Sequence, residues 1–201
     1  MKVAGHPQFE SIGRRLANAP ELLRPWNGAA YRITTLDYPS SKSILLGQGS
    51  YIHGGRWNAP GSFRAVYGST EDTVAVAESR ATADYAQVPW PFRTPRLLVA
   101  IELSLQSVID LCRIDVLRAL HLRTEELQTE DWRRIQEYGT ESLTQSIGRA
   151  VFTNGGEAML VSSAKVRGAI NLVYFPENQR AESHVAVLES EKLNRVRLTL
   201  E

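Results

Sequence analysis

The sequence predicts an α+β fold in a single domain, with mixed central β-sheets and flanking helices. Three observations carry that prediction. The chain has 201 residues, 43% hydrophobic and 22% charged, which is the size and composition of one soluble domain able to bury well over half of its unfolded surface. Apolar runs of strand character mix with amphipathic helical patterns, but not in the strict alternation of a doubly wound sheet. With one cysteine, Cys112, no intrachain disulfide can form, so packing has to hold the fold.

The elements follow in order. Residues 8–23 place Phe9, Ile12, Leu16, Leu22 and Leu23 at helical spacing, and Pro25 ends the pattern. A short strand at 29–33 contains Tyr31 and Arg32. Residues 37–55, rich in Ser, Gly and Pro, read as a long loop of the kind that is often functional. After a strand at 65–67, Ser69-Thr70-Glu71-Asp72 has the pattern of a capping box and opens a helix to about Tyr85. Val74, Ala77, Ala81 and Tyr85 share one face of that helix, and Glu78 falls on or beside it. Pro89, Pro91 and Pro95 interrupt the chain. A near-continuous apolar run at 97–103 predicts a central strand, with another at 108–112. Helices are expected at 114–120, 130–138 and 141–150, the last stopped by Gly155-Gly156. Strands follow at 158–161 and 169–175, and the tail holds two more at 184–188 and 196–200.

Charge and composition narrow the partners. A formal net charge of +1 argues against broad nucleic-acid or membrane binding, which shows as a basic excess. Arg14-Arg15, and Arg133-Arg134 beside Trp132, read as charged helix faces. No charged-then-apolar leader opens the chain, and no apolar stretch reaches the roughly 18 residues of a membrane span. A cytoplasmic location is therefore expected, and Cys112, in an apolar run, reads as a small buried side chain. His6, His53, His121 and His184 are scattered, and no metal-ligand spacing is present, so no metal is expected.

One set of residues asks for more than a fold. His53-Gly54-Gly55-Arg56-Trp57-Asn58 combines glycines, a cation and an aromatic ring. It reads either as a tight hairpin or as a backbone whose N–H groups approach a diphosphate, with Arg56 adding charge and Trp57 packing behind. Neither common nucleotide fingerprint is present. Arg32 is either a surface strand residue or an inward fork for a phosphate or carboxylate. Tyr67 is either a core tyrosine or a platform for a flat cationic ring. Glu78 is either a helix-flank acid paired with Arg32, Arg56 or Arg80, or a carboxylate facing a cleft where it can stabilise an oxocarbenium-like centre. Ser162-Ser163 follows a strand without a nucleophile elbow, so a hydrogen-bonding role fits better than a nucleophilic one. Asn171 sits in a strand, where asparagine is disfavoured.

Taken in order, Tyr31-Arg32-Ile33, Gly54-Gly55-Arg56-Trp57-Asn58 with Gly61, Tyr67-Gly68-Ser69, Ala77-Glu78, Thr144-Gln145 with Ile147-Gly148, and Ser163-Ala164 with Asn171 resemble the RES-domain family, named for an Arg, a Glu and a Ser. The resemblance covers residues 29–178 and implies an ADP-ribosyltransferase-like toxin fold. It also implies the toxin half of a bacterial toxin–antitoxin pair, neutralised by an Xre-type helix-turn-helix antitoxin through which any DNA contact would run. NAD is implied as substrate rather than cofactor, split at its nicotinamide–ribose bond with water, phosphate or a protein side chain as acceptor. By the match, Arg32, Glu78 and Ser163 are the catalytic set, and Arg56, Tyr67, Asn171 and Tyr31 bind substrate. The family serine is often preceded by proline, and here Ser162 stands in that place, leaving both serines in play; Ala164 favours Ser163. The resulting division is an N-terminal helical segment over 1–28, an NAD-binding catalytic domain over 29–178, and a C-terminal β tail over 179–201 packed on the same domain. A non-catalytic nucleotide- or partner-binding module on the same fold is the competing expectation.

Overall fold

The computed structural model describes residues 3–36, 40–89 and 96–193. Among the described residues six strands form one mixed sheet: β1 (Leu23–Thr35), β2 (Val66–Ser69), β3 (Arg96–Asp110), β4 (Ala158–Ser162), β5 (Ile170–Tyr174) and β6 (His184–Val187). Their order is β1-β2-β5-β4-β3-β6, and β1 pairs with β3 as well as with β2. Five strands therefore close on themselves, and β6 is added to β3 outside the ring. Among the strand pairings of the described residues only β3–β4 is parallel; the others are antiparallel. The α+β class expected from the sequence is the class found.

Side-chain alternation on these strands builds two apolar layers. Ala158, Leu160, Leu172 and Tyr174 point to one face with Ile101 and Leu103. Met159, Val161 and Val173 point to the other, where α1 (Phe9–Ala17), α5 (Ile114–Leu120) and α8 (Leu143–Thr153) cover them with Ile12, Leu16, Leu117, Ile147 and Val151. Among the described residues no helix is long and apolar enough to cross a membrane.

Several elements differ from expectation for identifiable reasons. The helix expected over 8–23 stops at Ala17, and a 3₁₀ turn at Pro20–Leu22 leads directly into β1. The first 28 residues are thus not all helical. Pro25 does not end a helix but lies inside a strand, where the β1–β3 register shifts between Arg24 and Trp26. Proline lacks an N–H to donate, so a bulge is where a strand tolerates it. Opposite this bulge, the backbone N–H groups of Gln106 and Ser107 donate to the buried Glu157 carboxylate at 2.8 and 2.9 Å. That substitute acceptor lets β3 run unbroken through the polar positions where two separate strands were expected.

The stretch expected as a loop over 37–55 contains two short helices, α2 (Ser41–Leu46) and α3 (Gln48–His53). Ser40 and Ser43 form the capping box of α2, a signal hidden in a serine-rich run. By contrast, the capping box expected at Ser69 and Asp72 does not form. Ser69 lies in β2, Glu71 is the N-cap of α4 (Asp72–Tyr85) without a side-chain cap, and Asp72 Oδ1 accepts from Thr73 N. The helix expected at 130–138 is found as α7 (Trp132–Glu137), and a further helix that was not expected, α6 (Thr124–Thr129), precedes it. Of the two tail strands, β6 pairs with β3; the one expected at 196–200 lies outside the described residues.

Candidate active site

Glu78 is placed by α4, and two side chains, Ser163 just past the end of β4 and Asn171 on β5, converge on one of its oxygens. Oε1 accepts from Ser163 Oγ at 2.6 Å and from Asn171 Nδ2 at 2.8 Å. The serine can only donate in that direction, because its oxygen already accepts the backbone N–H groups of Lys165 and Val166 at 3.1 and 2.9 Å. Asn171 is held in turn by Ser69, whose Oγ donates to Asn171 Oδ1 at 2.7 Å across the β2–β5 ladder. That interaction gives the disfavoured strand asparagine a fixed orientation. Ser162 Oγ turns away to Cys112 Sγ at 3.7 Å, so the serine brought to Glu78 is Ser163. Glu78 forms no ion pair with Arg32, Arg56 or Arg80.

A second group surrounds Tyr67. Arg32 Nη1 donates to the Tyr67 carbonyl at 2.8 Å, while its buried Nε has no partner. The Tyr67 hydroxyl donates to Asn58 Oδ1 at 2.7 Å and accepts from Trp57 N at 3.0 Å. Burial pushes the phenol above its ordinary range. Burial also pulls the Arg32 guanidinium below its ordinary value, with Tyr67 partly opposing the shift. A guanidinium starts high enough to stay charged at neutral pH even so.

The glycine pair acts differently from one of the two readings the sequence allowed. Gly54 N donates to Ser50 O and Gly55 N to Asn58 O, both at 2.8 Å, so neither N–H is free to cradle a diphosphate. Gly54 has φ +73°, and a Cβ at Gly55 would overlap the Tyr67 hydroxyl. The pair therefore forms the tight turn and lets Tyr67 approach it. Trp57 packs in the core as expected, at 3% exposure. Gln145 joins this turn to α8, its Nε2 donating to Gly55 O at 3.0 Å and to Gln136 Oε1 at 2.7 Å. The Arg56 guanidinium reaches carbonyls beyond the turn, Leu127 O at 2.6 Å and Glu130 O at 3.5 Å. Burial lowers its pKa, against the attraction of Glu130 and then of Glu78.

These groups enclose a cavity of about 580 Å³, within the usual size for a small-molecule site. Tyr31, Arg32, Arg56, Tyr67, Glu78 and Asn171 all line it. Ser163, 4% exposed, lies beneath the wall and acts on it through Glu78. Wall residues that were not expected include Trp132 and Arg133 from α7. Read along the helix they are only a charged face. Among the described residues no group of His, Cys, Asp and Glu could hold a metal ion.

The arrangement can bind an anionic, flat-ringed ligand among guanidinium groups and present a carboxylate to a developing cation. Comparison with known proteins identifies relatives of the chain. The NAD(+) phosphorylases MbcT of Mycobacterium bovis and Mycobacterium tuberculosis are 26% identical to the chain over 157 residues, 77% of this chain and 76% of theirs. A chain in the crystal structure of the M. tuberculosis MbcT–MbcA toxin–antitoxin complex superposes with a TM-score of 0.64 at 20% identity, covering 94% of this chain and 98% of that one; the likeness is one of fold. The RES domain model matches residues 29–198, extending past residue 178 into the tail that carries β6. With a match over most of its length, the chain belongs to the RES-domain family.

Proposed function

We propose that this protein is the toxin of a toxin–antitoxin pair and that it degrades NAD by cleaving the nicotinamide–ribose bond. The observation that carries the reading is Glu78: its Oε1 is fixed by Ser163 and Asn171, and its side chain lines a cavity that also holds Arg32, Arg56 and Arg133. The curated relatives named NAD(+) phosphorylase MbcT support the substrate and the reaction class.

In NAD the ring nitrogen already carries a positive charge. When the bond to C1′ breaks, its electron pair leaves with nicotinamide, which departs as a neutral base. Acid catalysis of departure is therefore unnecessary, and positive charge builds on the ribose. The Glu78 carboxylate stabilises that charge. Ser163 and Asn171 orient the carboxylate, so no reorganisation is needed during the reaction. Arg32, which lines the cavity, offers its guanidinium charge to a phosphate oxygen. Arg56, already bonded to two carbonyls, contributes charge rather than a fork. Tyr67 and Tyr31 supply aromatic walls beside the nicotinamide ribose.

An oxygen nucleophile then bonds to C1′. Hydrogen phosphate dianion attacks without losing a proton and gives ADP-ribose 1″-phosphate. Water gives ADP-ribose and releases one proton. The name of the curated relatives favours phosphate. The cognate antitoxin, of the Xre helix-turn-helix type, would act by covering the cavity; the solved complex of a fold relative with its antitoxin supports a direct protein partner.

The test is incubation of pure protein with NAD across a phosphate titration, with mass analysis of products. A phosphorylated ADP-ribose whose yield rises with phosphate is the expected result. ADP-ribose at all phosphate concentrations would make the enzyme a glycohydrolase, and a mass gain on cell proteins an ADP-ribosyltransferase. Absence of free nicotinamide under every condition would refute the enzymatic reading and leave the binding module.

A further inference from the structure

Three cations of the cavity wall, Arg96, Arg133 and Lys165, have no part in the proposed reaction, and Arg133 is held there by aromatic rings. Arg133 lines the wall beside Trp132, and among the described residues it makes no hydrogen bond and no ion pair. What holds it are ring faces. Its guanidinium carbon lies 4.4 Å from the Trp132 ring centroid and 4.4 Å from that of Tyr85. Aromatic faces attract a guanidinium without using its N–H donors, which lie in its own plane and stay available at the edge. Arg32 and Arg56 differ in this respect, since each donates to backbone carbonyls.

We infer that Arg133 is an anion-binding residue of this cavity, presenting its N–H edge to a phosphoryl group: the diphosphate of the dinucleotide, or the inorganic phosphate that serves as acceptor. The inference rests on the NAD reading above and adds a ligand contact to it. Burial lowers the Arg133 pKa, with Tyr85, Asp131 and Glu78 opposing the shift in that order. A cation partly stripped of water gains more from an oxyanion than a hydrated surface arginine does. Tyr85 is more than half exposed, which fits a ring that serves to hold a cation rather than to fill the core.

The test uses the full chain as wild type, R133Q, R133K and R134Q. Calorimetry measures the affinity for ADP-ribose and for inorganic phosphate, and steady-state assays measure KM for NAD and for phosphate. R133Q is expected to weaken at least one of these anions tenfold or more. R133K, which keeps charge but loses the planar fork, should fall between it and wild type. R134Q, changed on the exposed neighbour, should match wild type. A loss on ADP-ribose assigns Arg133 to the diphosphate; a loss confined to inorganic phosphate assigns it to the acceptor. A purely structural role would lower the melting temperature without changing the affinity of the folded protein. If R133Q binds both anions within twofold of wild type, or wild type binds neither, the inference is overturned. If wild type consumes NAD and R133Q is unaffected, the inference fails while the reaction stands. If wild type binds ADP-ribose through Arg133 but never releases nicotinamide, the reaction fails and the anion site stands.

Discussion

Replacing Glu78 with glutamine removes a charge and little else. The side chain keeps its size, and its amide oxygen can still accept from Ser163 Oγ and Asn171 Nδ2, now 2.6 and 2.8 Å from Oε1. The fold should therefore survive. The lost term is the attraction between the carboxylate and the ribose cation. Two unit charges about 4 Å apart interact by about 4 kcal/mol at an effective dielectric of 20. Only the part that grows between ground and transition state accelerates the reaction. NAD enters with a cationic ring already nearby, so we take about 3 kcal/mol as the differential, which corresponds to a little over a hundredfold in rate. The assay is single-turnover release of nicotinamide under saturating E78Q, with NAD affinity and melting temperature as controls. A melting temperature within about 3 °C of wild type, normal binding and a hundredfold slower release are expected. If E78Q binds NAD normally and releases nicotinamide within threefold of the wild-type rate, the electrostatic role is refuted.

Three further predictions follow from the surrounding frame. In G148A the new Cβ would sit 1.8 Å from the Trp57 carbonyl oxygen; backbone cannot rotate away, so a loss of about 3 kcal/mol is expected on chemical denaturation. E157Q turns an amide N–H₂ toward backbone donors now served by the carboxylate, those of Gln106, Ser107 and Arg180. It should cost about 2 kcal/mol, read as a drop of about 4–8 °C in melting temperature. Burial pushes the Cys112 thiol up to about 11 from an ordinary 9.0. At pH 8 its thiolate fraction is then about a hundredth of that of an ordinary thiol, so alkylation should be slow until the protein unfolds. Because the folded state holds this proton more tightly, the associated stability is complete below pH 9 and is lost as pH rises toward 11.

The main constellation was legible because its residues break local rules. An asparagine in a strand, an acid on an apolar helix flank and an arginine between strand neighbours each allowed a functional reading beside a local one, and Arg32, Glu78 and Asn171 do share one cavity. Ser163 could be preferred over Ser162 only by its neighbour Ala164, since nothing in the order of residues shows which hydroxyl turns to Glu78 and which to Cys112. The glycine pair misled for the opposite reason. Its composition suits both an anion cradle and a tight turn, and the choice depends on whether Ser50 and Asn58 supply distant carbonyls to its N–H groups. Arg133 was hidden because a cation beside a tryptophan on a short polar helix looks like solvent-facing charge. Its inward placement depends on α7 packing near Tyr85, a contact across 48 positions of sequence.

Hydrogen-bond capacity separates the acid proposed for chemistry from those that build the frame. Glu157 accepts on both oxygens, from Gln106 N and Ser107 N on one and Arg180 N on the other. Glu141 is filled by Arg149 on both oxygens and by His6 N. Glu130 caps α8, taking Leu143 N on Oε1 and Thr144 N and Oγ1 on Oε2. Each is a carboxylate with donors on both oxygens, which is how a protein tolerates buried charge. Glu78 is built otherwise: both of its hydrogen bonds fall on Oε1, and among the described residues no protein donor reaches Oε2. Acceptor capacity left open at a cavity wall has to be met by water or by a ligand, and a cationic ribose is a ligand that needs it most in the transition state. The arginines sort in the same way. Arg149 is tied to Glu141 and Arg56 to two carbonyls, whereas Arg32 keeps an unpartnered Nε and Arg133 keeps its whole edge. Open capacity of opposite sign around one cavity is what a dinucleotide with an anionic diphosphate and a transiently cationic sugar requires.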